Sequence, residues 1–185
     1  YGLKNVEIYN PQDNTWANGA TPPLELHHFQ AVEWNGLIYV IGAFTGNFPH
    51  ETPVPNIYIY DTVADEWIVG AEIPENRRRG SAGAVVYNDK IYVVNGIVDG
   101  HTSQWVNWLD EYDLLTNIWT SLPDSPQARD HFHAALHDGK IYVAAGRRSG
   151  QNTTFSPTIA EIEMYDISLQ TWTTFSNSSR LTMYT

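Results

Sequence analysis

Seven histidines, two clusters of arginine and two closely spaced tryptophans are the residues of this chain best equipped for chemistry. The histidines are His27, His28, His50, His101, His131, His133 and His137. Neutral imidazole is the commonest protein ligand for metals, and its charge changes near neutral pH. Here the spacing builds no local metal site. There is no His-Glu-x-x-His pair, and His50-Glu51 runs into Thr52 and Pro53. No metal and no cofactor are therefore expected. His131 and His133 alternate, so on a strand both would face one side, and His28 holds the corresponding place in an earlier unit. Arg77-Arg78-Arg79 and Arg147-Arg148 stand out in a chain of 21 acidic and 10 basic residues. Guanidinium groups grip carboxylates through two parallel bonds, so Arg77, Arg78, Arg147 and Arg148 fit an anion pocket. Trp105 and Trp108 lie beside Asp99 and His101. Aromatic planes next to acids suit sugar stacking; the same tryptophans would also pack as a small apolar cap.

Other chemistries are excluded by what the sequence lacks. There is no cysteine, hence no disulfide, thiolate site or cysteine nucleophile. A phosphate loop, an EF-hand loop and a Gly-x-Ser-x-Gly elbow are all missing. No catalytic residue is assigned. The net charge of −11 disfavours nucleic acid and anionic membranes as partners, and no stretch has the apolar length of a membrane helix. The compartment is unknown, with a secreted origin favoured over a cytoplasmic one. Asn152-Thr-Thr and Asn177-Ser-Ser fit the glycosylation pattern.

The elements that position these side chains repeat with a period of about fifty residues. Trp16, Trp67, Trp119 and Trp172 recur at spacings of 51, 52 and 53, each seven residues after a tyrosine: Tyr9, Tyr60, Tyr112 and Tyr165. A second tyrosine recurs at Tyr39, Tyr92 and Tyr142, inside LIYVIG, KIYVVN and KIYVAAG. These runs are β-branched and aromatic, as buried strands are. A further apolar run precedes each, joined through Asn-Gly, Asn-Asp or Asp-Gly, the dipeptides of two-residue hairpin turns. Each unit therefore reads as a four-stranded antiparallel meander with Tyr and Trp as anchors between sheets. Such units stacked radially make a β-propeller.

The chain resembles the Kelch family. The residues that carry the resemblance are Arg79 and Arg129, Gly36-x-x-Tyr39 and Gly139-x-x-Tyr142, and the Tyr-[Asn/Asp]-x5-Trp endings, from Asn5 to about Phe175. It departs from the family where a double glycine ends the second strand: the pairs here are Gly42-Ala43, Asn95-Gly96 and Ala145-Gly146, and Leu26 replaces an arginine. The fold expected is an all-β, Kelch-type propeller of about three and a half blades. Residues 1–20 give a half blade, 24–70, 77–121 and 129–175 give full ones, and 180–185 begin another. Propellers use four or more blades, so the chain is expected to belong to a larger propeller or to complete one by self-association through open blade edges.

The resemblance implies a non-catalytic module that holds a carbohydrate or protein partner on the loop face around the channel. Three long loops, AFTGNFPHETPVPN, GIVDGHTSQWVNW and GRRSGQNTTFSPT, should gather Phe44, Phe48, His50, Asp99, His101, Trp105, Trp108, Arg147 and Arg148 there, with His28 and His131 on the channel. Arg79 and Arg129 are expected to hold blades together. The acids Asp110-Glu111-Asp113 and Glu161-Glu163 are expected at solvated strand edges. The alternatives are a structural or assembly role, in which open blade edges recruit another chain, and a sugar-acting enzyme, because galactose oxidase and Kelch-type sialic acid epimerases use similar propellers. The former needs a cysteine-linked tyrosine; the latter would need an acid/base pair, for which His131, His28, Arg78 and Asp130 are the first residues to test.

Overall fold

The computed structural model describes residues 5–175; the start of a further unit expected at 180–185, and Asn177, lie outside the described residues. Strand β1 (Val6–Asn10) pairs with β2 (Thr15–Gly19). Then come β3 (Gln30–Trp34), β4 (Leu37–Ile41), the two-residue β5 (Phe44–Thr45) and β6 (Thr52–Pro53), β7 (Asn56–Asp61) and β8 (Glu66–Glu72). After a short 3-10 turn follow β9 (Gly83–Tyr87), β10 (Lys90–Asp99), β11 (Ser103–Asp113) and β12 (Trp119–Leu122). The last unit is β13 (Ala134–His137), β14 (Lys140–Val143), β15 (Ile162–Asp166) and β16 (Thr171–Phe175). The four-stranded sheets run β3-β4-β7-β8, β9-β10-β11-β12 and β13-β14-β15-β16, all antiparallel, with β5-β6 a separate ladder.

Turn chemistry explains the hairpins. Asn35-Gly36, Asn88-Asp89 and Asp138-Gly139 all have positive φ at both positions, 51° and 79°, 50° and 58°, 52° and 67°. That is the type I′ geometry, whose twist matches the flanking strands. The outer hairpins use a second device. In three units the strand tyrosine donates its hydroxyl hydrogen to a turn residue five positions on: Tyr9 to Asn14 (2.9 Å), Tyr60 to Asp65 (2.6 Å) and Tyr112 to Asn117 (2.5 Å). The recurring tryptophan stands directly opposite that tyrosine, with ring centroids 4.9–5.3 Å apart.

Three of these tryptophans also tie their sheet to the unit before. The indole N–H of Trp67 donates to Ala20 O (2.8 Å), that of Trp119 to Glu72 O (3.1 Å) and that of Trp172 to Pro123 O (2.7 Å). Two apolar cores fill the space between sheets. One gathers Tyr39, Ile41, Ile57, Ala84, Ile91 and Val93; the other gathers Val85, Val94, Leu109, Phe132, Ile141 and Tyr165. The first strands of the three sheets, β3, β9 and β13, converge on Gln30. Its Oε1 accepts from the amides of Ala84 (3.1 Å) and Ala134 (2.8 Å), and its Nε2 donates to Ala134 O (2.9 Å).

Three expectations change. The stretch GIVDGHTSQWVNW is not a loop: β10 and β11 run on as one long hairpin, with Ile97 opposite Trp105 and Asp99 opposite Ser103. Its β-branched residues extend the ladder beyond an irregularity between Val94 and Gly96. Gly96, at φ 119°, allows a backbone approach that a side chain would block, since a Cβ there would lie 2.7 Å from Gly80 O. Secondly, Asp110 and Glu163 are not solvated strand edges but buried partners of Arg79 and Arg129. Thirdly, His131 precedes β13 in a bend, so strand alternation does not set its direction.

Candidate functional site

The feature that gathers titratable groups on the loop face is a cluster of three imidazoles, one from each four-stranded unit. His28 and His131 occupy equivalent positions just before β3 and β13, where the second unit, before β9, has Ser81. All three have φ of 53°. Left-handed backbone costs a residue with a Cβ roughly 1–2 kcal/mol, and its recurrence at one repeat position aims these side chains the same way, into the channel mouth. His101 arrives differently, from the tip of the β10–β11 hairpin. Ring centroids of His28 and His131 lie 4.9 Å apart, those of His28 and His101 4.7 Å, and those of His101 and His131 4.6 Å.

Each imidazole is oriented by a neighbour on Nδ1. His101 lies 3.0 Å from the buried carboxylate of Glu51. His131 bonds the buried carboxylate of Asp130, which is itself held by the amide and hydroxyl of Ser149 at 2.9 and 2.6 Å. His28 meets Nδ1 of His27 at 2.6 Å. An open cleft of about 290 Å³ lies alongside, lined by His28, Phe29, Ser81, His131, Phe132 and His133.

Crowding disfavours charge on the rings. Desolvation by neighbouring groups, followed by repulsion from His131, His101 and His27, lowers His28 to about 4, although one side of its ring remains open to solvent; Glu51 opposes the shift. Burial likewise pulls His131 below its ordinary value, against the opposing pull of Asp130. For Glu51, burial works to raise the carboxyl, but the His101 hydrogen bond, its own backbone amide and the charges of His101 and His28 together hold it below the usual range.

The residues singled out from sequence divide into two groups. His28, His101, His131, Trp105 and Arg147 meet at the channel mouth. Trp105 Nε1 donates to Ser149 O (2.7 Å), and Arg147 Nε donates to Ser149 Oγ (2.8 Å) while standing 3.9 Å from Asp130. The remainder are engaged in packing within a unit or at the joint between neighbouring units, and Phe44 is buried. Arg77 Nε donates to Asp110 (2.9 Å), and its guanidinium lies 4.5 Å from the Trp108 ring centre. Arg78 pairs with Glu72 and donates to Ile73 O (3.1 Å). Arg148 donates to Ala128 O (3.1 Å) and Gln127 Oε1 (2.8 Å). Asp99 accepts from Ser103 Oγ (2.7 Å) and shapes the hairpin tip. Arg79 and Arg129 were expected to hold blades together, but their guanidinium groups bond within their own units: Arg79 to Asn95 O (2.8 Å), Val93 O (2.9 Å) and Asp110, and Arg129 to Ala145 O (2.8 Å), Glu161 O (3.0 Å) and Glu163. Glu51, Ser81 and Ser149 were not anticipated. Ser81 was legible by aligning it with His28 and His131, whereas Glu51 lies in irregular backbone and carried no repeat signal.

Four-stranded antiparallel sheets, joined through their first strands and locked by a recurring Tyr–Trp pair, define this as a propeller-class protein with Kelch-type blades. The KLHDC2/KLHL20/DRC7 Kelch-repeats domain family matches residues 2–183, and the chain belongs to that Kelch-repeat family. It is 29% identical over 174 residues to Kelch-like protein terF of Aspergillus terreus, covering 91% of this chain and 37% of that protein. Human Kelch-like protein 38 is 25% identical over 169 residues, covering 91% and 28%. The chain thus spans about a third of the length of these relatives. The solved structure of YjhT shares the fold at a TM-score of 0.77 and 15% identity, covering 95% of this chain and 59% of that one.

Proposed function

We propose that this protein is a non-catalytic binding module that presents the loop face at its channel mouth to a protein partner. The observation that carries this reading is the pair Phe48 and Phe155, each 63% exposed on loops flanking the histidine cluster. The Phe48 ring centre lies 5.0 Å from that of His101, and the Phe155 ring centre lies 5.0 Å from the guanidinium carbon of Arg147. Exposed aromatic side chains on a polar face are the usual anchors of protein interfaces. Their loops are tied down by backbone bonds, His50 N to Asn47 O (3.0 Å), His101 N to Pro49 O (2.9 Å) and Arg148 N to Pro157 O (2.9 Å). Pre-ordered loops lose less entropy on binding. Membership in the Kelch-repeat family also supports a binding role, with function carried on loops over a rigid scaffold. A protein is favoured over a carbohydrate because Trp105 and Trp108, the natural stacking planes, are engaged with Ser149 O and with Arg77.

The test is photo-crosslinking from position 48 or 155 in an extract of the source, together with a glycan array. The expected result is a discrete protein adduct from both positions, abolished by excess unmodified protein as competitor but not by a competitor of unchanged thermal stability that combines Phe48→Ala and Phe155→Ala. Saturable glycan binding that survives the double variant would overturn the protein reading and favour a sugar.

A further inference from the structure

We propose that His28, His101 and His131 form a three-histidine site for a divalent transition metal such as Zn²⁺, one ligand from each four-stranded unit, with its remaining coordination position open to the channel-mouth cleft. The sequence holds no local metal motif because the ligands lie 73 and 30 residues apart (101 minus 28; 131 minus 101); only the radial packing of the units brings them together.

The first support is geometric. One ring nitrogen from each histidine lies within 4.8 Å of the others. Zinc–nitrogen bonds of about 2.0–2.1 Å in a tetrahedral site place the nitrogens roughly 3.4 Å apart, so a modest rotation of the exposed His28 and its neighbours closes the set. The second is the tautomer that the hydrogen bonds dictate. Glu51 and Asp130 are acceptors, so His101 and His131 each donate from Nδ1 and carry the lone pair on Nε2. For His28 the chain of inference is one step longer. His27 Nε2 lies 3.0 Å from Gly46 O, a carbonyl that only accepts, so His27 is protonated on Nε2 and accepts on Nδ1. The 2.6 Å contact between the two Nδ1 atoms is then a donation from His28, whose Nε2 lone pair is left free. All three rings hold the tautomer that binds metal through Nε2.

The third support lies behind the ligands. A ligating histidine that donates its other N–H to a carboxylate is the usual outer-shell arrangement of protein metal sites, and it fixes ring direction and raises basicity. Two of the three rings have it, from carboxylates that are themselves buried. Both oxygens of the buried Glu51 carboxylate lie 3.0 Å from His101 Nδ1, which puts negative charge beside the cluster that a divalent cation would balance. Three neutral imidazoles suit zinc, copper or nickel rather than magnesium or calcium, which prefer oxygen. A set of three protein ligands with one open position is the pattern of sites that exchange a water or a ligand, not of closed structural ones.

The metal alone is the probe, so the outcome is independent of whether a protein partner binds. Chelator-treated protein is titrated with Zn²⁺ by calorimetry, then loaded with Co²⁺ and read by visible absorption. The expected result is one ion per chain and the intense bands of four-coordinate cobalt. His28→Ala, whose side chain is solvent-accessible, should keep the fold and abolish stoichiometric binding. Glu51→Gln should weaken binding roughly 10–100-fold, and His133→Ala should leave it unchanged. No stoichiometric uptake, or uptake that His28→Ala leaves intact, overturns the site. If His101→Ala fails to fold, His28→Ala still decides.

Discussion

Arg129 and Glu163 are both fully buried and pair at 3.0 Å, while Arg129 also donates to Ala145 O and Glu161 O. Burial raises the Glu163 carboxyl above its usual range, an effect that the Arg129 charge only partly offsets. One unit earlier the same positions hold Arg79 and Asp110, at 2.6 Å. One unit earlier again they hold Leu26 and Tyr58, which pack with Val40 and Val54 in an apolar cluster. The repeat therefore solves one packing problem twice with an ion pair and once without charge. Removing one member of a buried pair strands the other, at about 3–5 kcal/mol, whereas replacing both with apolar groups is often near neutral. Arg129→Leu alone should therefore lose about 3–5 kcal/mol in urea denaturation. Combining it with Glu163→Tyr should recover a large part of that loss. Additive destabilisation in the double-mutant cycle would show that the two side chains act independently.

At the scale of elements, the turns between third and fourth strands carry a device that pH can probe. Asp61 accepts from the amides of Val63 (2.8 Å) and Ala64 (2.9 Å), Asp113 from Leu115 (3.0 Å) and Thr116 (2.9 Å), and Asp166 from Ser168 (3.1 Å) and Leu169 (3.0 Å). Backbone bonds from Ala64 and Thr116, and the Ser168 hydroxyl, hold these carboxyls below the ordinary value of 3.8. Below 3.8 the unfolded chain binds more protons than the folded one, so stability rises with pH there. The contribution is complete above 3.8 and is lost as pH falls through the lower folded values. Asp→Asn at all three turns should flatten the acid limb of a urea-midpoint curve between about pH 4 and pH 2; an unchanged slope would refute the assignment. Hairpins and anchors of this kind were legible in sequence because Asn-Gly, Asp-Gly and Tyr-x6-Trp act locally and repeat. The histidine cluster was legible only in parts. His28 and His131 share a repeat position, but the reach of His101 depends on how far β10 and β11 extend, and that is set by contacts between units. The stacking of Arg77 on Trp108 was illegible for a different reason, since both lie in one unit: sequence marks a guanidinium and an indole, but not that each covers the other.

For the whole molecule, the recurring indole states what each unit needs from its neighbour. Trp67, Trp119 and Trp172 each donate to a carbonyl of the preceding unit, and the two main cores lie between units rather than within them. Trp16 occupies the same position on β2, yet among the described residues it has no such acceptor and is 67% exposed. Ile8 and Tyr9 on β1 are exposed with it. An apolar sheet face of this kind, on a unit built to be covered, favours association. In solution the protein is expected to associate with concentration. Light scattering over a dilution series should show a mass rising from 20.9 kDa towards twice that value. Trp16→Ser should shift the curve towards the monomer without lowering thermal stability, because Trp16 contributes little to the packing of its own unit. A mass fixed at 20.9 kDa at every concentration would mean that this face stays open in the isolated chain. The Phe48 and Phe155 face would then be the surface on which to look for a partner.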